Sequence, residues 1–184
     1  QLHAVCGGAA DGLHGLGDRV RGYHHALETD DEPGGGTRSL GHRGGIADLD
    51  IEGLARDLRI NAVGPLRVIK HLLPNLRAAP TRKIVSISSQ LGSITNANGG
   101  SSYGYRASKA ALNMLNKHLS IELAEEGFTC MVLHPGWVKT RMGGEEAPLT
   151  PPESIAGMLK VIANAEPKTH NGAFLDYKGD TLPW

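Results

Sequence analysis

No charge of either sign is in excess: 19 Lys+Arg stand against 19 Asp+Glu over 184 residues, a formal net charge of zero. That balance excludes the basic surface that nucleic acid or an anionic membrane requires. Cysteine is scarce. Cys6 and Cys130 are the only two, too few for a disulfide framework or a metal cluster. The nine histidines are scattered, with no His-x-x-x-His and no Cys-x-x-Cys, so no metal is expected. No apolar run approaches the roughly 20 residues that span a bilayer, and no signal peptide is apparent. A cytoplasmic protein is the expectation. What is present is 40% hydrophobic content, enough for a core, and 25 glycines spread unevenly. Twelve lie in the first 45 positions and 13 in the other 139.

The glycines divide the chain. Residues 1–47 are poor in apolar pattern, and Thr29-Asp-Asp-Glu-Pro-Gly-Gly-Gly36 is acidic and glycine-rich. Such a composition does not bury enough surface to offset chain entropy. An irregular or disordered lead-in is expected, with a short strand at Leu2–Cys6 and at most a short helix at Arg19–Leu27. From Asp48 onward the text is periodic. Leu54, Leu58, Ala62, Leu66, Ile69, Leu73 and Leu76 form one helical stripe. Lys83–Ser88 is a β-branched run that reads as a buried strand. A second helix is predicted over Ser102–Glu126, with its stripe at Leu112, Leu115, Leu119 and Leu123 and Gly127 as its cap. Thr129–His134 reads as a strand stopped by Pro135, Glu153–Ala165 as a helix and Ala173–Tyr177 as a strand. Helices alternating with strands predict an α/β fold with a parallel, Rossmann-like sheet over residues 48–184.

The residues that carry chemistry cluster on these elements. Tyr105 and Lys109 stand four apart on the second helix, hence on one face. A neighbouring ammonium favours a phenolate, which suits a tyrosine to general acid–base work. Tyr103 has Ala107 at the same offset and therefore no lysine partner. Ser88 and Ser89 end a predicted parallel strand, where ligands bind in open α/β sheets. A serine there can hydrogen-bond a carbonyl oxygen as charge develops on it. Asn61 precedes Pro65 by four. Proline has no N–H to donate, so the Asn61 carbonyl is expected to be free at a kink and able to hold a water leading to Lys109. Pro135 and Gly136 end their strand sharply and let backbone approach a flat ligand. Thr140 is placed to hydrogen-bond a carboxamide.

Asn61-Ala-Val-Gly-Pro65, Ile84-Val-Ser-Ile-Ser-Ser89, Tyr105-Arg-Ala-Ser-Lys109 and His134-Pro-Gly-Trp-Val138 resemble, in order and spacing, the motifs of the short-chain dehydrogenase/reductase family. Gly92-Ser-Ile94, Tyr103–Met114, Met142-Gly-Gly144 and the ending Phe174-Leu-Asp-Tyr177…Leu182-Pro-Trp184 are similar to its C-factor/sniffer-type carbonyl reductase branch. The resemblance spans residues 44–184. It implies a Rossmann fold, NADP or NAD as cofactor, and reduction of a small-molecule carbonyl or oxidation of an alcohol. It implies a catalytic set of Ser89, Tyr105, Lys109 and Asn61. Tyr105 would donate the proton and Lys109 would hold the nicotinamide ribose. Cofactor contacts would come from both, with Pro135, Gly136, Trp137, Val138 and Thr140. Ser88 and Ser93 are the alternatives for the serine, because Ser89 lies 16 residues before Tyr105, more than the family's usual spacing. That excess is attributed to an insertion at Asn96–Gly100. Arg141 stands where this branch often has an acidic residue.

The pattern fails upstream. The family's Gly-x-x-x-Gly-x-Gly turn cradles the pyrophosphate at a helix N-terminus. The nearest text, Gly12-x-x-Gly15-x-Gly17, misses its spacing by one residue. Residues 1–47 are also too few for the βα units of a full domain. The chain is therefore expected to be the C-terminal part of a reductase behind an unrelated lead-in, from truncation, frameshift or degeneration. One sheet edge should then be unpaired and the apolar faces of helices 54–76 and 103–126 bared, giving marginal stability and self-association through them. Two functional classes compete: an oxidoreductase using this site, and a non-catalytic fold serving as an interaction module.

Overall fold

In a computed structural model, the structure describes residues 4–6 as backbone and residues 45–184 throughout. The expected short helix at Arg19–Leu27, and the irregular lead-in up to residue 44, lie outside the described residues. Asp50 starts the first helix by accepting the Gly53 N–H at 2.9 Å, a cap that satisfies one of the otherwise orphaned first-turn donors. Helix α1 is Ile51–Leu58 and α2 is Gly64–Ala78; between them Arg59–Val63 winds as a π turn. The expected kink takes this form. Without an N–H on Pro65, Asn61 loses its usual partner four residues on, and the Gly64 N–H bonds back five residues to the Arg59 carbonyl.

Strand β2 is Lys83–Ile87, helix α3 is Tyr103–Glu122 and strand β3 is Thr129–His134. Helix α4 is Pro151–Asn164, α5 is Pro167–His170 and β4 is Phe174–Asp176. Strands β2, β3 and β4 are parallel neighbours, with Ile84 opposite Cys130 and His134 opposite Asp176. Alternation along the strands sorts the core into two layers. Ile84 and Cys130 face Ile69, Leu76, Leu123 and Phe128 on one side. Val85, Met131, Leu133 and Leu175 face Val161 and Ala165 of the α4 region on the other. All six residues of β3 are buried, as befits a strand covered on both faces.

Two expectations are corrected. The far edge of β2 is paired: β1, Ala4–Cys6, runs antiparallel to it, with Val5 opposite Val85. The helical stripes are covered in part: Ala62, Ile69, Leu76, Leu112 and Leu123 are at most 5% exposed, while Leu54, Leu58, Leu66, Leu73, Leu115 and Leu119 are half-buried. The exposed apolar residues on these helices, Met114 and Ile121 among them, lie off the stripes. Gly127 does not cap α3 directly. It closes the turn after the helix at φ 76°, bonding back to the Ala124 carbonyl at 2.9 Å.

Candidate active site

The inward face of α3 is polar where it crosses the end of β2, a feature the leucine stripe does not announce. Asn116 Nδ2 donates to Ser86 Oγ at 3.2 Å, Ser88 Oγ donates to Asn113 Oδ1 at 2.6 Å, and Lys109 Nζ donates to the Ile87 carbonyl at 3.0 Å. These side chains are buried, so each must find a partner or carry a desolvation penalty. The pairs fix the rotation of α3 about its axis and thereby the direction in which Tyr105 and Lys109 point.

Ser89 and Ser88 part company here. Ser88 is spent on Asn113, inside the core. Ser89 caps the short turn Gln90–Gly92 by accepting the Leu91 N–H at 3.2 Å, and its side chain hydrogen-bonds to Tyr105. Ser93 faces elsewhere: its hydroxyl donates to the Trp184 carbonyl at 3.3 Å. The Lys109 ammonium lies 5.8 Å from the Tyr105 ring centroid. Burial pushes the Tyr105 phenol above its ordinary value, and the Ser89 bond pulls it partly back. The phenol is raised where the spacing argument expects it lowered, and the lowering influence on it comes from Ser89. The same burial brings Lys109 itself down to about 8.

Asn61 reaches α3 by a different route from the expected one. Its Nδ2 donates to Ser108 Oγ at 3.0 Å, and Ser108 Oγ donates to the Tyr105 carbonyl at 2.9 Å. The π turn is thus tied to the backbone of the tyrosine.

Beyond β3 the loop is held tightly. Ser154 donates to the Pro135 carbonyl at 2.6 Å. Gly136 sits at φ 83°, and a side chain there would collide with Leu149 and the Tyr177 ring. Trp137 Nε1 donates to the Gly143 carbonyl at 2.7 Å, Val138 bridges Leu149, and Thr140 Oγ1 accepts the Gly143 N–H at 3.1 Å. A cavity of about 330 Å³ opens at the carboxyl ends of β3 and β4, lined by Gln90, His134, Trp137, Leu149, Asp176 and Tyr177 among others. Gln90, the residue after Ser89, is the part of this lining nearest to the serine in sequence. His134 and Asp176 were not singled out as site residues by sequence. Their adjacency is a register fact, visible only once β3 and β4 are paired.

The family model for short chain dehydrogenase matches residues 35–149. Over 139 residues the chain is 46% identical to C-signal of Myxococcus xanthus, covering 76% of this chain and 83% of that protein. Among solved structures, carbonyl reductase sniffer of D. melanogaster superposes with a TM-score of 0.73 at 36% identity. An NADPH-bound carbonyl reductase from chicken fatty liver does so with 0.72 at 35%. Each of these superpositions covers 80% of this chain and 64% of the other.

Proposed function

The chain belongs to the short-chain dehydrogenase family, and on that premise we propose that it carries the reacting half of an NAD(P)-dependent oxidoreductase that reduces a carbonyl or oxidises an alcohol. The observation that carries this reading is the convergence of Ser89, Tyr105 and Lys109 at the carboxyl end of β2. The residues present fit the ribose and nicotinamide end of the cofactor. Lys109 is a buried ammonium with three donors, of which one is spent on Ile87; sugar hydroxyls are acceptors of the right chemistry for the others. Thr140 keeps a hydroxyl proton to donate to a carboxamide. Pro135 to Val138 supply a backbone wall against which a flat ring can lie. The nicotinamide, when bound, supplies or accepts the hydride.

The rest of the chemistry falls to this chain. Ser89 orients the substrate oxygen by hydrogen bonding, as it does the tyrosine. Tyr105, protonated because burial holds its phenol up, delivers a proton to that oxygen as charge develops on it. Lys109 compensates the phenolate left behind. Asn61 acts through Ser108 to fix the backbone that carries Tyr105. The NADP form is favoured over NAD by the relative solved with NADPH.

A second reading, a non-catalytic interaction module, draws on β1. It runs antiparallel on the edge of β2, and among the described residues no glycine-rich turn leads from a strand into a helix. A calorimetric titration with NADPH and NADH separates the two. Saturable binding that Lys109→Ala abolishes supports the oxidoreductase. With a reducible aldehyde, Tyr105→Phe should then cut kcat by roughly 10²–10⁴ while leaving cofactor affinity within a few-fold. Absence of binding at millimolar cofactor overturns the oxidoreductase for this chain.

A further inference from the structure

The cavity at the ends of β3 and β4 has a one-sided charge. Its volume, about 330 Å³, stands near the lower end of the roughly 300–1,000 Å³ of small-molecule sites. Trp137, Leu149, Tyr177 and Leu182 give it apolar walls. Asp176 is the carboxylate among its lining residues, and among the described residues no lysine or arginine lines it. Lys178 is exposed and lies over the Tyr177 ring at 5.6 Å from its centroid. It is not part of the wall.

Asp176 is held in place. Three backbone N–H groups, of Lys178, Gly179 and Asp180, converge on its Oδ1 at 2.8 to 3.0 Å. It cannot swing away without abandoning all three. Its register partner on β3 is His134, whose Nδ1 is buried without a hydrogen-bond partner. Burial lowers the imidazole, with Asp176 opposing. A neutral imidazole brings no positive charge to offset the carboxylate.

We propose that this cavity selects uncharged carbonyl substrates, that it turns away those bearing a carboxylate, and that Asp176 enforces the selection. The inference rests on the oxidoreductase reading for its chemistry, with Gln90, the residue after Ser89, in the cavity wall. A second carboxylate brought between these walls meets a like charge held in place by three N–H groups. An amide of the same shape meets no such opposition.

The test uses para-formylbenzamide and para-formylbenzoate, which share shape and differ in charge, with the full chain and NADPH. The wild type should favour the amide in kcat/KM by at least about tenfold. Asp176→Asn keeps an oxygen for the three N–H groups and removes the charge, so the preference should fall below roughly threefold, with kcat/KM for the carboxylate rising. Quenching of Trp137 fluorescence by the two probes, read in a Trp184→Phe background, gives the same comparison without turnover. Equal handling of the two probes by the wild type overturns the proposal. So does a preference that survives Asp176→Asn, and so does failure of both probes to quench. Failure of NADPH to bind while the probes still quench selectively overturns the oxidoreductase reading and leaves the cavity's selectivity standing.

Discussion

Lys109 is 3% exposed, and burial takes its ammonium from the ordinary 10.5 to about 8. This shift is also a statement about stability. Below pH 8 the native and unfolded chains both hold the proton, so the full penalty of burying a charge is present. Between about 8 and 10.5 the unfolded chain holds a proton that the native one has released, and stability rises with pH across that window. Urea unfolding at about pH 7.5 and about pH 9.5 should show the wild type gaining on Lys109→Met by up to about 1 kcal/mol per pH unit. A difference that does not move with pH, or moves the other way, removes burial as the cause. The pairing of Tyr105 with Lys109 is legible in sequence, because helix geometry dictates what four residues apart means. The bond from Asn61 to Ser108 spans 47 residues and follows only from how α1, the π turn and α3 pack. No local rule contains it.

At the scale of elements, the strands were readable because β-branched runs bounded by turn residues leave little else to be. Thr129–His134 emerges as expected, and Pro135 ends it. The polar inner face of α3 is hidden in sequence, since Asn113 and Asn116 look like a solvent face until Ser88 and Ser86 are set against them. Helix α4 shows how contact reverses a propensity. At its start Thr150 and Glu153 form a reciprocal cap. Gly157 lies in its interior, where alanine is ordinarily better by about 1 kcal/mol. Here a Cβ would stand 2.5 Å from the Tyr177 carbonyl oxygen and 2.9 Å from its ring. Overpacking costs about 1–3 kcal/mol, so the contact outweighs the propensity gain. Gly157→Ala should therefore lower the melting temperature by a few degrees, and the displaced Tyr177 should weaken probe quenching of Trp137. A stabilised variant means that α4 is free to move off β4.

For the whole molecule, the alternation of helices and strands carried the doubly covered sheet, because each strand buried on both faces requires helices above and below. The edge of β2 is not legible in sequence: three residues, Ala4–Cys6, give no direction of pairing, and the structure makes it antiparallel. With that edge paired and the stripes half covered, the most exposed apolar groups on the same helices are where self-association is expected. Met114 and Ile121, 58% and 65% exposed on α3, are seven residues apart and so share one face. Exposed apolar groups scattered singly need no partner, but two on one face of a long helix form the start of a seam, and Ile60 and Val63 on the adjacent π turn are exposed as well. Light scattering behind size exclusion should give the wild type as a dimer at tens of micromolar. The double variant Met114→Lys, Ile121→Lys should be a monomer of undiminished melting temperature, since neither side chain belongs to the buried core. A wild type that stays monomeric at every concentration removes helix α3 as an interface. A double variant that unfolds instead assigns these residues to packing within the chain.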